Sequence, residues 1–177
     1  SRVPILLVRG NLPRGKAYSE WPETAIVPLD GSTLSEFVLP YVEALARKKG
    51  AAPEIRLLRV CEPPVLLADY PEAVMPEKWD QHVQLAQQSA ERACGLYLGE
   101  VQKRLQDAGL TVHTEVLLGD KVADAVIQHA KRQPLAVIAM STHGQSGFTK
   151  WPYGHVADRI LLATENPLLL VRPDKKK

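Results

Sequence analysis

An α/β fold, a parallel sheet with helices on both faces, is predicted by three features of the sequence. Apolar strand-like runs alternate along the chain with stretches whose apolar residues recur at helical spacing. One run, residues 135–140, is apolar throughout, as a parallel strand buried on both faces must be. The 177 residues, 45% of them hydrophobic, suffice for one domain with a sizeable core. In such a fold the ligand sits at the carboxyl ends of the strands.

The elements follow in order. Residues 24–29 read as the first core strand, ending in Pro28-Leu29-Asp30-Gly31-Ser32, a turn that hands over to a helix. Leu34, Phe37, Tyr41 and Leu45 give that helix its apolar stripe. Pro40 falls inside it and is expected to bend it, because proline has no N–H for the carbonyl four residues back. Residues 54–60 form a second strand. Residues 61–78 hold four prolines and no clear period, the pattern of an irregular surface excursion that is either a candidate lid or inert padding. Val83, Ala90, Cys94, Tyr97, Val101 and Leu105 mark a long second helix that ends near Gly109 as a C-terminal cap. Residues 111–118 alternate Val112, Thr114 and Val116 against polar neighbours, as in an edge strand wetted on one face. Gly119-Asp120 then caps a third helix carrying Val122, Val126 and Ala130, and residues 167–172 form a closing apolar strand.

The stretch from Met140 to Val156 carries the most information. It leaves the buried run, crosses a loop punctuated by Gly144 and Gly147, and enters a helix after Gly154, with Val156, Ile160 and Ala163 at helical spacing. A helix N-terminus offers unpaired amides and a positive dipole end, and glycines let backbone approach a ligand closely. Phosphate is the natural occupant. Glycine also serves plain strand-to-helix turns, so the loop alone does not decide the matter.

Composition narrows the function. The formal net charge of +2 points to neither nucleic acid nor an anionic bilayer, and no apolar segment is long enough to cross a membrane. Cys61 and Cys94 allow at most one bridge; both lie in apolar contexts that suit buried thiols in a reducing cytosol, and no signal peptide is visible. A cytoplasmic protein is expected. His82, His113 and His129 are scattered without ligand spacing, so no structural zinc site is expected. Val3-Pro4-Ile5-Leu6-Leu7-Val8-Arg9 matches Asn166-Pro167-Leu168-Leu169-Leu170-Val171-Arg172 at five of seven positions. Residues 1–23 are therefore expected to be the last strand of a preceding copy plus a linker, 24–173 the domain, and 174–177 a basic tail. The start at Ser1 fits a processed or excised piece, the second half of a tandem protein.

Over residues 24–173 the sequence resembles the universal stress protein family. The resemblance rests on Val27-Pro28-Leu29-Asp30-Gly31-Ser32, Leu58-Arg59-Val60 and Gly119-Asp120. It rests also on Gly154-His155-Val156-Ala157-Asp158-Arg159-Ile160 and Pro167-Leu168-Leu169-Leu170-Val171. It implies a three-layer α/β/α sandwich of the adenine-nucleotide alpha hydrolase type, with a five-stranded parallel sheet in the order 3-2-1-4-5. The nucleotide-binding subgroup carries G-x2-G-x9-G-[S/T]. Gly144 and Gly154 stand at its second and third glycines, whereas Ser141 replaces the first and His155 the terminal hydroxyl residue.

ATP or ADP is thereby implied, with magnesium or manganese, if any, held by the phosphates. Asp30 would accept from ribose hydroxyls, or cap the first helix, or both; Pro28 ends the same strand; Val60 would read the adenine edge through its backbone. Met140 and Ser141 would line the ribose side, and Gly144, Gly154, His155 and Val156 the phosphates. His143 and Lys150 would add positive charge or simply be solvated, and Trp151 and Tyr153 would clamp the loop or cover a partner. Family members associate through their last strands, antiparallel, so a homodimer or pairing with a sister domain is expected.

No catalytic set and no G-x4-G-K-[S/T] loop is present in the sequence. The expected function is a cytoplasmic, nucleotide-linked stress-response switch or interaction module with slow hydrolysis at most. The alternatives are a domain whose pocket His155 blocks, acting through oligomer contacts, and an ATP hydrolase in which His143 or His155 orients water.

Overall fold

The computed structural model describes residues 3–9, 22, 24–47, 53–63, 79–134, 136–143 and 154–173. Along the chain lie β1 (Ile5–Leu7), β2 (Thr24–Pro28), a 3-10 turn (Ser35–Val38), α1 (Leu39–Ala46), β3 (Glu54–Cys61) and α2 (Trp79–Asp107). They are followed by β4 (Val112–Leu118), α3 (Val122–Lys131), β5 (Val137–Ser141), α4 (His155–Ala163) and β6 (Leu168–Val171). The strands form one sheet in the order β1-β6-β5-β2-β3-β4. From β2 onward every pairing is parallel, and the five parallel strands keep the order that the family resemblance implies.

The sheet has six described strands, the five parallel ones expected and, beside them, the N-terminal run. β1 lies antiparallel on the outer edge of β6, with Ile5 opposite Leu170, Leu6 opposite Leu169 and Leu7 opposite Leu168. An apolar strand with an open row of N–H and C=O groups is a template for pairing, and the matching N-terminal run fills it. The Arg9 guanidinium then donates to the Leu161 carbonyl near the end of α4.

Alternation along the central strands divides the core into two layers. Val27, Leu57 and Val137 pack with Val42 of α1 and Leu98, Val101 and Leu105 of α2. Ile26, Leu58 and Ile138 face the other way, onto Val126 and Ala130 of α3 and Ile160 of α4. β4 is the far edge, with Val112 buried while His113 and Thr114 are exposed.

Three local expectations change. Pro40 does not bend α1; it stands in the helix's first turn, where an amide would lack an intrahelical acceptor anyway. The buried stripe is Val38, Leu39, Val42 and Ala46, while Phe37, Tyr41 and Leu45 only flank the core. The 3-10 turn before the helix runs at three residues per turn, so a stripe counted at 3.6 comes out rotated. Asp120 does not cap α3 either: Lys121 is the N-cap, with no side-chain capping bond. Gly109, at φ +83°, closes α2 with the Leu110 amide donating to the Leu105 carbonyl at 3.2 Å, a glycine cap.

From β2 the chain proceeds outward to β3 and β4, then crosses back to β5 and β6 on the other side. The carboxyl ends of β2 and β5 therefore flank a topological switch point, where an open parallel sheet leaves a crevice.

Candidate functional site

A cavity of about 850 Å³ occupies that crevice. β2 and its turn supply Pro28 and Asp30, and β3 supplies Val60. From the other side come Met140 and Ser141 of β5, and Gly154, His155 and Val156 at the start of α4. These are eight of the nine residues nominated from the sequence, drawn from four elements onto one concavity. The ninth, Gly144, lies outside the described residues, as do Gly147, Lys150, Trp151 and Tyr153. So does most of the candidate lid: residues 64–78 are not described, and Cys61 belongs to β3.

The turn after β2 is tied by its own side chains. Asp30 Oδ1 accepts from the Ser32 amide at 2.9 Å and the Ser32 hydroxyl at 2.6 Å. The Ser35 amide donates to Ser32 Oγ at 3.0 Å, and Ser35 Oγ donates to the Ser32 carbonyl at 2.8 Å. Asp30 thus shapes the entry to the 3-10 turn and also lines the cavity. Gly31 has φ +83°, a conformation that favours glycine, and a Cβ there would lie 2.7 Å from Arg59 Nη1.

At the end of β5, Ser141 is 7% exposed and its hydroxyl has no hydrogen-bond partner among the described residues. A buried, unsatisfied hydroxyl in a cavity wall is costly unless something entering the cavity pairs with it. The next residues join strand to helix: the Thr142 amide donates to Val171 O and the Gly154 amide to Thr142 O, both at 2.8 Å. A Cβ on Gly154 would meet that same carbonyl at 3.2 Å, a tight contact that favours glycine. Gly154 is the N-cap of α4 and has no side chain with which to cap the first turn.

One histidine falls differently from the sequence reading. His143 is not an exposed loop cation but buried at 3%, with Nδ1 2.9 Å from Thr142 Oγ1. His155, the first residue of α4, is exposed at the rim. Among the described residues no group of three or more His, Cys, Asp or Glu side chains is placed to hold a metal.

Arg59, Tyr97, Cys61 and Cys94 also line the cavity and were not nominated. The Arg59 guanidinium lies over the Tyr97 ring, 5.5 Å from its centroid, and Nε donates to Cys94 Sγ at 3.3 Å. Its Nη1 is buried without a partner among the described residues. Tyr97 is anchored in turn: its hydroxyl donates to Glu36 Oε1 at 3.0 Å, and Arg104 donates to Glu36 Oε2 at 2.6 Å. Burial, and then the Glu36 carboxylate, push the Tyr97 phenol up from its ordinary range, so it stays a donor at neutral pH. The sequence signal for this group was the i, i+3 spacing of Cys94 and Tyr97 on the face that packs over β3.

The universal stress protein family model matches residues 23–172. The chain belongs to the universal stress protein family. Universal stress protein MJ0531 of Methanocaldococcus jannaschii is 25% identical over 152 residues, covering 86% of this chain and 83% of its own length. Among solved structures, hypothetical protein MJ0577 superposes with a TM-score of 0.70 at 20% identity, over 88% of this chain and 99% of that one. UspA from Lactobacillus plantarum superposes at 0.66 and 15% identity, over 86% of this chain and 100% of its own. A universal stress protein from Archaeoglobus fulgidus, at 0.61 and 14%, covers all of this chain, which spans about half (52%) of that longer one. At these identities the superpositions show the fold of the stress-protein domain. Among the described residues no helix is long and apolar enough to cross a membrane.

Proposed function

We propose that this stress-protein domain binds an adenine nucleotide, ATP or ADP, in the crevice and acts as a cytoplasmic nucleotide-linked switch or interaction module. The observation that carries the reading is the buried, unpartnered Ser141 hydroxyl beside the uncapped start of α4. A ligand there would satisfy the hydroxyl, and phosphate oxygens would meet the amides and dipole of the helix. Asp30 would take the ribose hydroxyls, Val60 the adenine edge through its backbone, and Met140 the ribose side. Arg59 Nη1 adds a second unmet donor on the opposite wall. Gly144 belongs to the same reading through its place in the glycine motif. A divalent cation would arrive on the phosphates, since no described side-chain cluster is built to hold one.

The exposed position of His155 supports an open pocket over a plugged one, because an imidazole filling the phosphate seat would be covered. Calorimetry with ATP and ADP tests the reading. Binding by the native protein that is lost in Gly144→Val and weakened in Ser141→Ala is the expected result. No heat and no thermal shift with either nucleotide would favour a domain that works through oligomer contacts alone, and turnover of ATP would favour the hydrolase.

A second reading concerns assembly. Leu6 and Leu169 are equivalent positions of the internal repeat, and they face each other across the β1–β6 ladder. Ile5, the counterpart of Leu168, faces Leu170, the counterpart of Leu7. Such self-complementary register is what a two-fold contact between two copies of one strand produces. It supports residues 3–9 as the last strand of a sister domain, residues 10–23 as linker and 24–173 as the domain.

A further inference from the structure

Cys61 and Cys94 are the nucleophilic groups of the cavity that nucleotide binding does not use. Cys61 ends β3 and Cys94 lies in the middle of α2, which packs over that strand. Both are free thiols, 4% and 8% exposed, and both border the same open cavity. Arg59, two residues before Cys61 on the same strand, reaches Cys94 on α2, so the two thiols border one part of the cavity wall. The Arg59 guanidinium donates to Cys94 Sγ at 3.3 Å, placing a positive charge against one sulfur of the pair. Two thiols on different elements, facing one solvent-reachable space beside a cation, are the components of a reversible disulfide.

We propose that Cys61 and Cys94 form a redox-responsive dithiol in the cavity wall, oxidised by a peroxide to an intramolecular disulfide that weakens ligand binding. The coupling to the ligand rests on the adenine-nucleotide reading; the dithiol itself does not. The Arg59 N–H directed at Cys94 Sγ makes Cys94 the first to attack, while burial, followed by the neighbouring Cys94 thiol, pushes the Cys61 thiol up to about 11. As its thiolate, Cys94 attacks one peroxide oxygen: an S–O bond forms, the O–O bond breaks, and hydroxide leaves to become water. The Cys61 sulfur then attacks the sulfenic sulfur as its proton is lost. The S–S bond forms, the S–O bond breaks, and a second water departs. Two thiols have lost two electrons and one peroxide has become two waters.

The consequence passes through Arg59. A disulfide sulfur is a poorer acceptor than a thiol or thiolate sulfur, and the new bond draws α2 against the end of β3. Arg59, which packs against Gly31 and over Tyr97, then loses the contact that orients its Nε.

The full chain, reduced and then treated with hydrogen peroxide, provides the test through thiol titration, denatured intact mass and peptide mapping. Loss of both thiols, a mass lower by two hydrogens, a Cys61–Cys94 linked peptide and recovery on adding dithiothreitol are expected. Cys61→Ser should yield a dimedone-trapped Cys94 and no link. Thiols that survive peroxide, oxidise to sulfinic acid without linking, or link between chains would overturn the dithiol, and the wild-type readout stands whether or not the variants fold. ATP affinity about tenfold weaker in the oxidised protein is expected; equal affinity would overturn the coupling. If the reduced protein binds no ATP, the nucleotide reading fails, while the crosslink still decides the dithiol.

Discussion

Gly154 and Gly31 stand where a single carbon would disturb the site. Gly154→Val would force Thr142 and its carbonyl, 3.2 Å from the added Cβ, away from the start of α4. Overpacking of this kind costs about 1–3 kcal/mol, so chemical denaturation should show that loss together with weaker ATP binding. Gly31→Ala adds left-handed strain of about 1–2 kcal/mol and displaces the Arg59 guanidinium. His155→Ser restores the hydroxyl of the family motif at an exposed position; calorimetry should find ATP affinity raised by up to about tenfold, the worth of one hydrogen bond. His129 gives a pH dependence. It is buried against Glu115, with Nδ1 3.5 Å from the carboxylate, and Arg132 and Arg56 also act on it. Burial is the largest influence and holds its pKa below 6.5, so between the two values the unfolded chain binds the extra proton. Stability should fall as pH drops below about 6.5, by at most about 1.4 kcal/mol per pH unit, and His129→Leu should flatten that slope in urea titrations at pH 5 to 7. Ser141 and Gly154 both line the cavity, at the places where the family motif puts its first and third glycines. Arg59 was not legible in the sequence: a charged residue in a strand reads as surface, and only the fold shows Tyr97 and Cys94 beneath it.

At the scale of elements, the strands were the most readable parts, since burial on both faces leaves continuous apolar runs that few other structures tolerate. What escaped was local geometry. Pro40 would bend an uninterrupted helix, yet the 3-10 turn at Ser35–Val38 shifts the helix start so that the proline falls in the first turn. β1 is the element whose removal is most informative. It covers β6, and with its flanking residues it carries exposed apolar side chains of its own, Val3, Ile5, Leu6 and Val8. Deleting residues 1–10 removes the Arg9 tie to Leu161 and opens the backbone edge of β6. An unpaired edge this apolar recruits another strand, so light scattering should find dimers or aggregates, and charged substitutions on the edge of the truncated chain should restore the monomer. A truncated protein that stays monomeric with unchanged stability would show that β1 is dispensable to the sheet.

For the whole molecule, the decisive feature is that the cavity draws on β2, β3, β5 and the start of α4, and so touches both core layers at once. A ligand seated there bridges the two halves of the sheet on either side of the switch point, and it has no counterpart site in the unfolded chain. Binding must therefore raise the stability of the entire fold by mass action: at a concentration one hundred times its Kd, about 2.7 kcal/mol. For a domain of this size that corresponds to a Tm increase of roughly 5 to 11 °C. Differential scanning fluorimetry of the native protein with rising ATP should follow that logarithmic dependence on free nucleotide. Arg59→Ala should retain the fold, because the side chain is partly exposed, yet give a smaller shift if Nη1 pairs with the nucleotide. Ser141→Ala separates the two effects further: removing a buried unsatisfied hydroxyl should leave the ligand-free protein as stable or more so, while reducing the ATP-induced shift. A variant that loses stability without ATP and keeps the full shift would mean that the Ser141 hydroxyl is satisfied by the protein itself and faces no ligand.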